Sequence, residues 1–418
     1  MTASTAAHPQ PKRAIVLSGG GARGAYEAGA LKYILDELPD YAGAHPRFDI
    51  VCGTSVGAIH AAFIAATAHE TEGRGDRLVK IWEELQVDNV FRFGAGDLLG
   101  IPRKLLGVRK VANMLREGQR PDRLFGLLDT GPLEELVLRS IPWEKIGPNL
   151  ESGLVESVCI AATQLATGRA VVFCQQKGRA LPPWASQANI RMQPIRLSPV
   201  HALASAAIPM LFPAVRVGAR YYADGGLRLN TPLAPAVRLG ANRVLVVGLS
   251  HGIAPDVSET LAQQRTAGFG NPMFLFGKVL NALMLSPVDT DLARLHFINN
   301  IIADGEAAYG PDFLARMNEV GIDRSGRALQ RISDLVIRPS VDLGFMAGKL
   351  MHERSDELEL NAFLRIFMRA SDAGEEVKEA DLLSYLLFDT AYTTPLVELG
   401  YADAEAKRDE LAAFFVDD

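Results

Sequence analysis

Two short segments, whose first glycines Gly19 and Gly53 lie 34 residues apart, hold residue types suited to acyl transfer: Ser18-Gly19-Gly20-Gly21-Ala22-Arg23-Gly24 and Gly53-Thr54-Ser55-Val56-Gly57. In the first, consecutive glycines let backbone N–H groups come close to a ligand oxygen. A helix opening near Gly24 would add its positive end, and Arg23 could fix the loop or add charge. The second segment fits G-x-S-x-G and falls between a strand-like and a helix-like stretch, the setting of a nucleophile elbow. An anion-stabilising loop beside an exposed serine is the minimum apparatus for acyl transfer. A third segment, Asp224-Gly225-Gly226, offers a base: a carboxylate at a strand end, followed by two flexible residues. Taken alone, it also reads as an ordinary Asp-Gly turn.

The elements that must position these groups are legible around them. Ala14 to Leu17 is an apolar run of strand length. After the glycines, Ala28, Leu31, Leu35 and Leu38 recur at helical spacing until Pro39, which is expected to stop the helix. Phe48 to Cys52 is a second strand candidate, and Val56 to Thr67 an alanine-rich helix. This order predicts parallel strands with right-handed crossovers. Gly131-Pro132 marks a helix start. Ser157 to Thr163 and Ala170 to Cys174 read as a hairpin about Thr167-Gly168. Pro199 to Ala207 is helix-like; Arg243 to Leu249 and Asp334 to Arg338 are later strands. The stretch from Asn271 to Asn300 reads as mostly helical. From Val341 the pattern is helical, acidic and poor in glycine. The expected division is a tail at 1–12, a catalytic body at 13–340 and a helical extension at 341–418.

The same residues bear on other chemistries. Gly19 to Gly24 also fits G-x-G-x-x-G literally, which allows a dinucleotide-binding alternative with Asp36, Glu37 or Asp40 as the ribose acid. A phosphate P-loop is excluded because no Gly-Lys-Ser/Thr follows. A serine hydrolase of the usual kind needs a histidine base. Among the eight histidines, His251 and His296 follow Asp224 and keep the order Ser, Asp, His open.

At 418 residues and 48% hydrophobic content the chain can bury a large α/β core. A net charge of −6 gives no whole-protein attraction to nucleic acid. The cysteines, Cys52, Cys159 and Cys174, sit in apolar runs and read as small buried hydrophobes. No metal-binding spacing occurs. The N-terminus lacks an apolar signal segment and no stretch is long enough to span a bilayer, so a cytoplasmic location is expected. Residues 91–110 alternate Phe91, Phe93, Leu98, Leu99, Leu105 and Leu106 with basic residues. They read either as a plain packed helix or as an interfacial lid making peripheral membrane contact. The C-terminal helices could cover the sheet or form a homo-oligomer surface.

Four blocks occur in fixed order: Gly19 to Leu31, Gly53 to Gly57, Ala204-Ser205-Ala206-Ala207-Ile208-Pro209-Met210-Leu211-Phe212-Pro213, and Tyr222-Ala223-Asp224-Gly225-Gly226. Together they make the chain resemble the patatin-like phospholipase family over at least residues 13–250. The resemblance implies a three-layer α/β/α sandwich with a mixed, mainly parallel sheet, plus the helical C-terminal extension. It implies a Ser–Asp dyad with no catalytic histidine, in which Ser55 is the nucleophile and Asp224 the general base. Gly19, Gly20, Gly21 and Ala22, with Arg23, would form the oxyanion site; Gly24, Gly53, Gly57, Gly225 and Gly226 are the other motif glycines. Substrates would be lipid acyl esters, with no metal or cofactor. The third motif is Asp-Gly-Gly where other members carry Asp-Gly-Ala, a variation within the family's range.

Overall fold

The computed structural model describes residues 11–43, 45–92, 114, 119, 121–178, 180–182, 189–252, 282, 288–325, 328–354 and 381–416. Their strands are β1 (Arg13–Leu17), β2 (Ile50–Thr54), β3 (Ser157–Gln164), β4 (Arg169–Gln176), β5 (Ile190–Pro194), β6 (Val215–Val217), β7 (Arg220–Asp224), β8 (Arg243–Val247) and β9 (Ser333–Ile337). They form one sheet in the order β5-β4-β3-β2-β1-β8-β9, with the β6–β7 hairpin attached to β3. The central run β3, β2, β1, β8, β9 is parallel. β4 is antiparallel to β3, and β7 meets β3 antiparallel. The sheet is therefore mixed and mostly parallel, as expected.

Alternation along the strands sends residues to two cores. Ile15, Leu17, Val51, Val158 and Ile160 face one side. Ala14, Val16, Ile50, Cys52 and Cys159 face the other. The first core lies under α1 (Gly24–Lys32), α2 (Val56–Ala66), α3 (Arg74–Glu83), α4 (Gly131–Ser140) and α5 (Pro199–Ser205). The second lies under α6 (Leu233–Arg238) and α7 (Val288–Tyr309). A sheet covered on both faces explains why its strands read as continuous apolar runs. The three cysteines are free, buried and side by side in register across β2, β3 and β4.

The C-terminal helices are α8 (Leu343–Arg354), α9 (Asp381–Leu386), α10 (Thr390–Glu405) and α11 (Arg408–Phe415). They add Leu382, Tyr385, Tyr392 and Leu396 to the first core. Among the described residues no helix is long and apolar enough to cross a membrane.

Several element ends differ from expectation, two of them in the elements around the glycine loop and the serine. Pro39 does not end the first helical run. A π-helical turn, Tyr33–Glu37, follows α1, and the chain continues helically through Leu38–Ala42 to Gly43. Pro39 lies in the first turn of that new segment, where its missing N–H costs little. The second strand is Ile50–Thr54, two residues later than the apolar run, because its ends are set by register with β1 and β3.

Candidate functional site

The serine and the carboxylate meet because two strands abut the same edge of β3. β2 runs parallel to β3 and stops with Thr54 opposite Ala161. β7 runs antiparallel and stops with Asp224 opposite Ala162, the next position. The residue leaving β2 is Ser55. Its Oγ donates a hydrogen bond to Asp224 Oδ2 at 2.7 Å across 169 residues of sequence. The other carboxylate oxygen accepts the N–H of Gly226 at 2.7 Å.

Ser55 sits on a sharp turn with φ +54°, a conformation that L side chains rarely adopt. The turn is tight because Gly53 and Gly57 cross it: a Cβ on Gly53 would strike the carbonyl of Gly57. The first turn of α2 lies directly behind Ser55. The strain is held by a residue that the sequence placed in a motif block without a role of its own. Ser205 Oγ accepts the Ser55 N–H at 2.8 Å and donates to the Ala161 carbonyl at 2.5 Å. Asp224 N–H and Gly225 N–H bond the carbonyls of Ala207 and Ser205. The Ala204–Pro213 block is thus the clamp between Ser55 and the Asp224 carboxylate, which accounts for its place among the four motifs.

Ser55 is 2% exposed and Asp224 is fully buried. Burial pushes the Asp224 carboxyl up to about 7, against the lowering effect of its Gly226 and Ser55 hydrogen bonds. A carboxylate that gains and loses a proton near neutrality suits a general base.

The glycine loop leaves β1 beside this pair. Gly21 has φ +57°, and a Cβ there would collide with the Tyr385 carbonyl. Gly19 donates its N–H to the Asn230 carbonyl at 3.2 Å, and Asn230 Nδ2 donates to the Gly19 carbonyl at 3.1 Å. Gly19 is thereby anchored to Asn230. The N–H groups of Gly20, Gly21 and Ala22 meet no acceptor among the described residues. Arg23 turns toward the C-terminal segment. Its Nε donates to Ser384 Oγ at 2.8 Å, and its guanidinium lies 4.4 Å over the Tyr385 ring. It fixes the loop.

Ser55 lines an open pocket. The walls are apolar, with Phe63, Leu78, Trp82, Val137, Phe212 and Phe388 among them. Such a cavity suits an aliphatic chain with its reactive end at the serine.

The histidine alternatives do not assemble. His251 Nδ1 lies 2.9 Å from the Pro339 carbonyl, and His296 Nε2 lies 2.8 Å from Asp334. His60 lines the pocket, but Glu27 and Trp82 take up both its nitrogens. Of the three acids open to the dinucleotide alternative, Asp36 is taken up inside the fold, and Glu37 and Asp40 are exposed. Asp36 accepts the N–H groups of Gly75 and Asp76 at the start of α3. Among residues 91–110, Phe91 is buried against Phe212 and Phe388 and so belongs to the core, not to a lid. Residues 93–110 lie outside the described residues. Among the described residues no cluster could hold a metal ion.

Fold and site define a class: an α/β/α sandwich with a serine on a strand–turn–helix elbow, bonded to a buried carboxylate below a glycine loop. The model of the family described as Patatin-like phospholipase matches residues 15–237, more than half of the chain, and the chain belongs to that family. A cGAMP-activated phospholipase of Pseudomonas aeruginosa is 30% identical over 218 residues, 52% of this chain and 53% of that protein. The chain thus spans about half the length of that relative. Two solved structures are more distant. VipD from Legionella pneumophila aligns at 13% identity and TM-score 0.31, over 93% of this chain and 67% of that one. The ExoU–SpcU complex of Pseudomonas aeruginosa aligns at 15% identity and TM-score 0.27, over 91% and 75%.

Proposed function

We propose that the protein is a serine acyl-ester hydrolase of lipids, of phospholipase A or lysophospholipase type. The observation that carries this reading is the 2.7 Å bond from Ser55 Oγ to Asp224 at the foot of an apolar pocket. Asp224 Oδ2 takes the hydroxyl proton as Oγ attacks the ester carbonyl. The amides of Gly20, Gly21 and Ala22 hold the developing oxyanion; one such donor is typically worth ~100- to 1,000-fold in rate. The tetrahedral intermediate collapses, the C–O bond to the alcohol breaks, and Asp224 returns the proton to that oxygen. Water then gives a proton to Asp224 and attacks the acyl-Ser55 ester. The fatty acid leaves as Ser55 recovers its hydrogen. No step calls on a histidine or a metal.

In this reading the body at 13–340 carries the dyad, and the extension at 341–418 braces the glycine loop through Ser384 and Tyr385 and adds Phe388 to the pocket. Peripheral membrane contact through the basic and apolar residues of 93–110 belongs to the same proposal. The test is a lipid panel assayed with wild type and Ser55→Ala, with products identified by mass. Release of fatty acid that vanishes in Ser55→Ala is expected. Equal release from both proteins, or none from any lipid or soluble ester, overturns the reading.

A further inference from the structure

A buried chain of hydrogen bonds runs from the glycine loop to the pocket wall without touching Ser55 or Asp224. The N–H of Ser18, the residue before the glycines, donates to Glu27 Oε1 at 2.7 Å. Glu27 Oε2 lies 2.9 Å from His60 Nδ1. Trp82 Nε1–H donates to His60 Nε2 at 3.1 Å. An indole nitrogen can only donate. His60 Nε2 must therefore accept, and the imidazole proton sits on Nδ1, facing Glu27. Burial lowers the His60 pKa to about 3, which keeps the ring neutral. Both oxygens of Glu27 and both ring nitrogens of His60 are taken up within this line.

The far end of the chain is the pocket. His60, Trp82 and Phe388 line it together with Ser55. Trp82 stacks on Phe388, with centroids 6.2 Å apart and planes 15° apart. Phe388 follows Ser384 and Tyr385, the residues that hold Arg23 at the other end of the loop. Both ends of the amide loop are thus tied to the wall against which an apolar chain would lie.

We infer that Glu27, His60 and Trp82 are positioning residues that couple the pocket wall to the glycine loop, so that an acyl chain lying against Trp82 raises turnover at Ser55. This rests on the hydrolase reading above. An acyl chain touching Trp82 and Phe388 contributes binding energy remote from the ester. Coupling lets that energy hold the oxyanion donors in place in the transition state, where it raises kcat instead of only lowering KM.

The experiment uses the full chain and p-nitrophenyl esters from acetate to laurate, kept below their micellar concentrations. In wild type, kcat is expected to rise with chain length. Trp82→Phe keeps the apolar wall and removes the N–H. The laurate-to-acetate ratio of kcat should fall about tenfold, the scale of one lost hydrogen bond, with KM for laurate nearly unchanged. Glu27→Gln changes volume little but puts one donor against another, either at Ser18 N–H or through a forced switch of the His60 tautomer. It should lower the same ratio, and the double variant should lose no more than Glu27→Gln alone. Thermal unfolding and fluorophosphonate labelling of Ser55 confirm that each variant is folded and has its nucleophile.

An equal loss at every chain length, an effect on KM alone, additive losses, or a wild-type kcat that does not rise with chain length overturns the coupling while the hydrolase reading stands. Absence of both labelling and turnover in wild type overturns the hydrolase reading, and the coupling with it.

Discussion

Asp224→Asn separates what the buried carboxylate does for chemistry from what it costs the fold. The folded carboxyl holds its proton up to about pH 7, whereas an unperturbed one loses it near 3.8. Between those values the folded state binds more protons than the unfolded state, so stability falls as pH rises through the window. At 1.36 kcal/mol per pKa unit, the interval corresponds to about 4 kcal/mol lost above pH 7 relative to pH 4. Asparagine has nearly the same shape and no charge. Its Oδ1 can accept the Gly226 N–H and its Nδ2 can donate to Ser55 Oγ. Urea unfolding should therefore find Asp224→Asn close to wild type at pH 4, and more stable by up to about 4 kcal/mol at pH 8. Turnover should move the other way. In the proposed mechanism the variant lacks its base, and a loss of at least ~100-fold is expected. Wild-type kcat/KM on a soluble ester should rise tenfold per pH unit below about 7 and level off above it. A stability difference that does not change with pH, or an asparagine variant that keeps its turnover, would refute this account of the site.

Further outcomes follow from single positions. Ser55→Ala should abolish fluorophosphonate labelling and lower turnover by at least ~1,000-fold. Ser55→Gly, also inactive, should be more stable than Ser55→Ala by about 1 kcal/mol or more in urea unfolding, because only glycine takes φ +54° without strain. Gly21→Ala places a methyl group against the Tyr385 carbonyl at a positive φ. It should cut kcat by ~100-fold or more while Ser55 can still be labelled. Leu136→Trp narrows the pocket and should shift preference toward shorter esters in a chain-length series, with acetate the least affected.

Much of the fold was legible because its signals are local. The apolar runs of β1 and β8 read as buried strands, since parallel strands covered on both faces need no polar alternation. The β3–β4 hairpin about Gly168 and the helix start at Gly131-Pro132 also carried their own turn chemistry. Pro39 misled because a π-helical turn resets the helix just before it, and nothing in the spacing of Ala28, Leu31, Leu35 and Leu38 reports that change. Ser205 lay inside a recognised block, but its role depends on the positions of the Ser55 N–H and the Ala161 carbonyl, 150 and 44 residues away in the chain. No local pattern joins Glu27, His60 and Trp82. Only side-by-side helices make them one chain.

The sequence by itself determined the residue types and their local geometry: glycines where backbone must pass backbone, a serine between a strand and a helix, a carboxylate at a strand end. These are properties of a few neighbouring residues, and short-range sterics and propensity decide them. Tertiary structure alone decided that β2 and β7 end at successive positions along β3, which brings a hydroxyl and a carboxyl into contact. It also decided that burial would lift that carboxyl toward neutrality, and that residues beyond 380 would hold the amide loop. Strand order, burial and proton affinity depend on contacts between distant parts of the chain, and no local pattern encodes them.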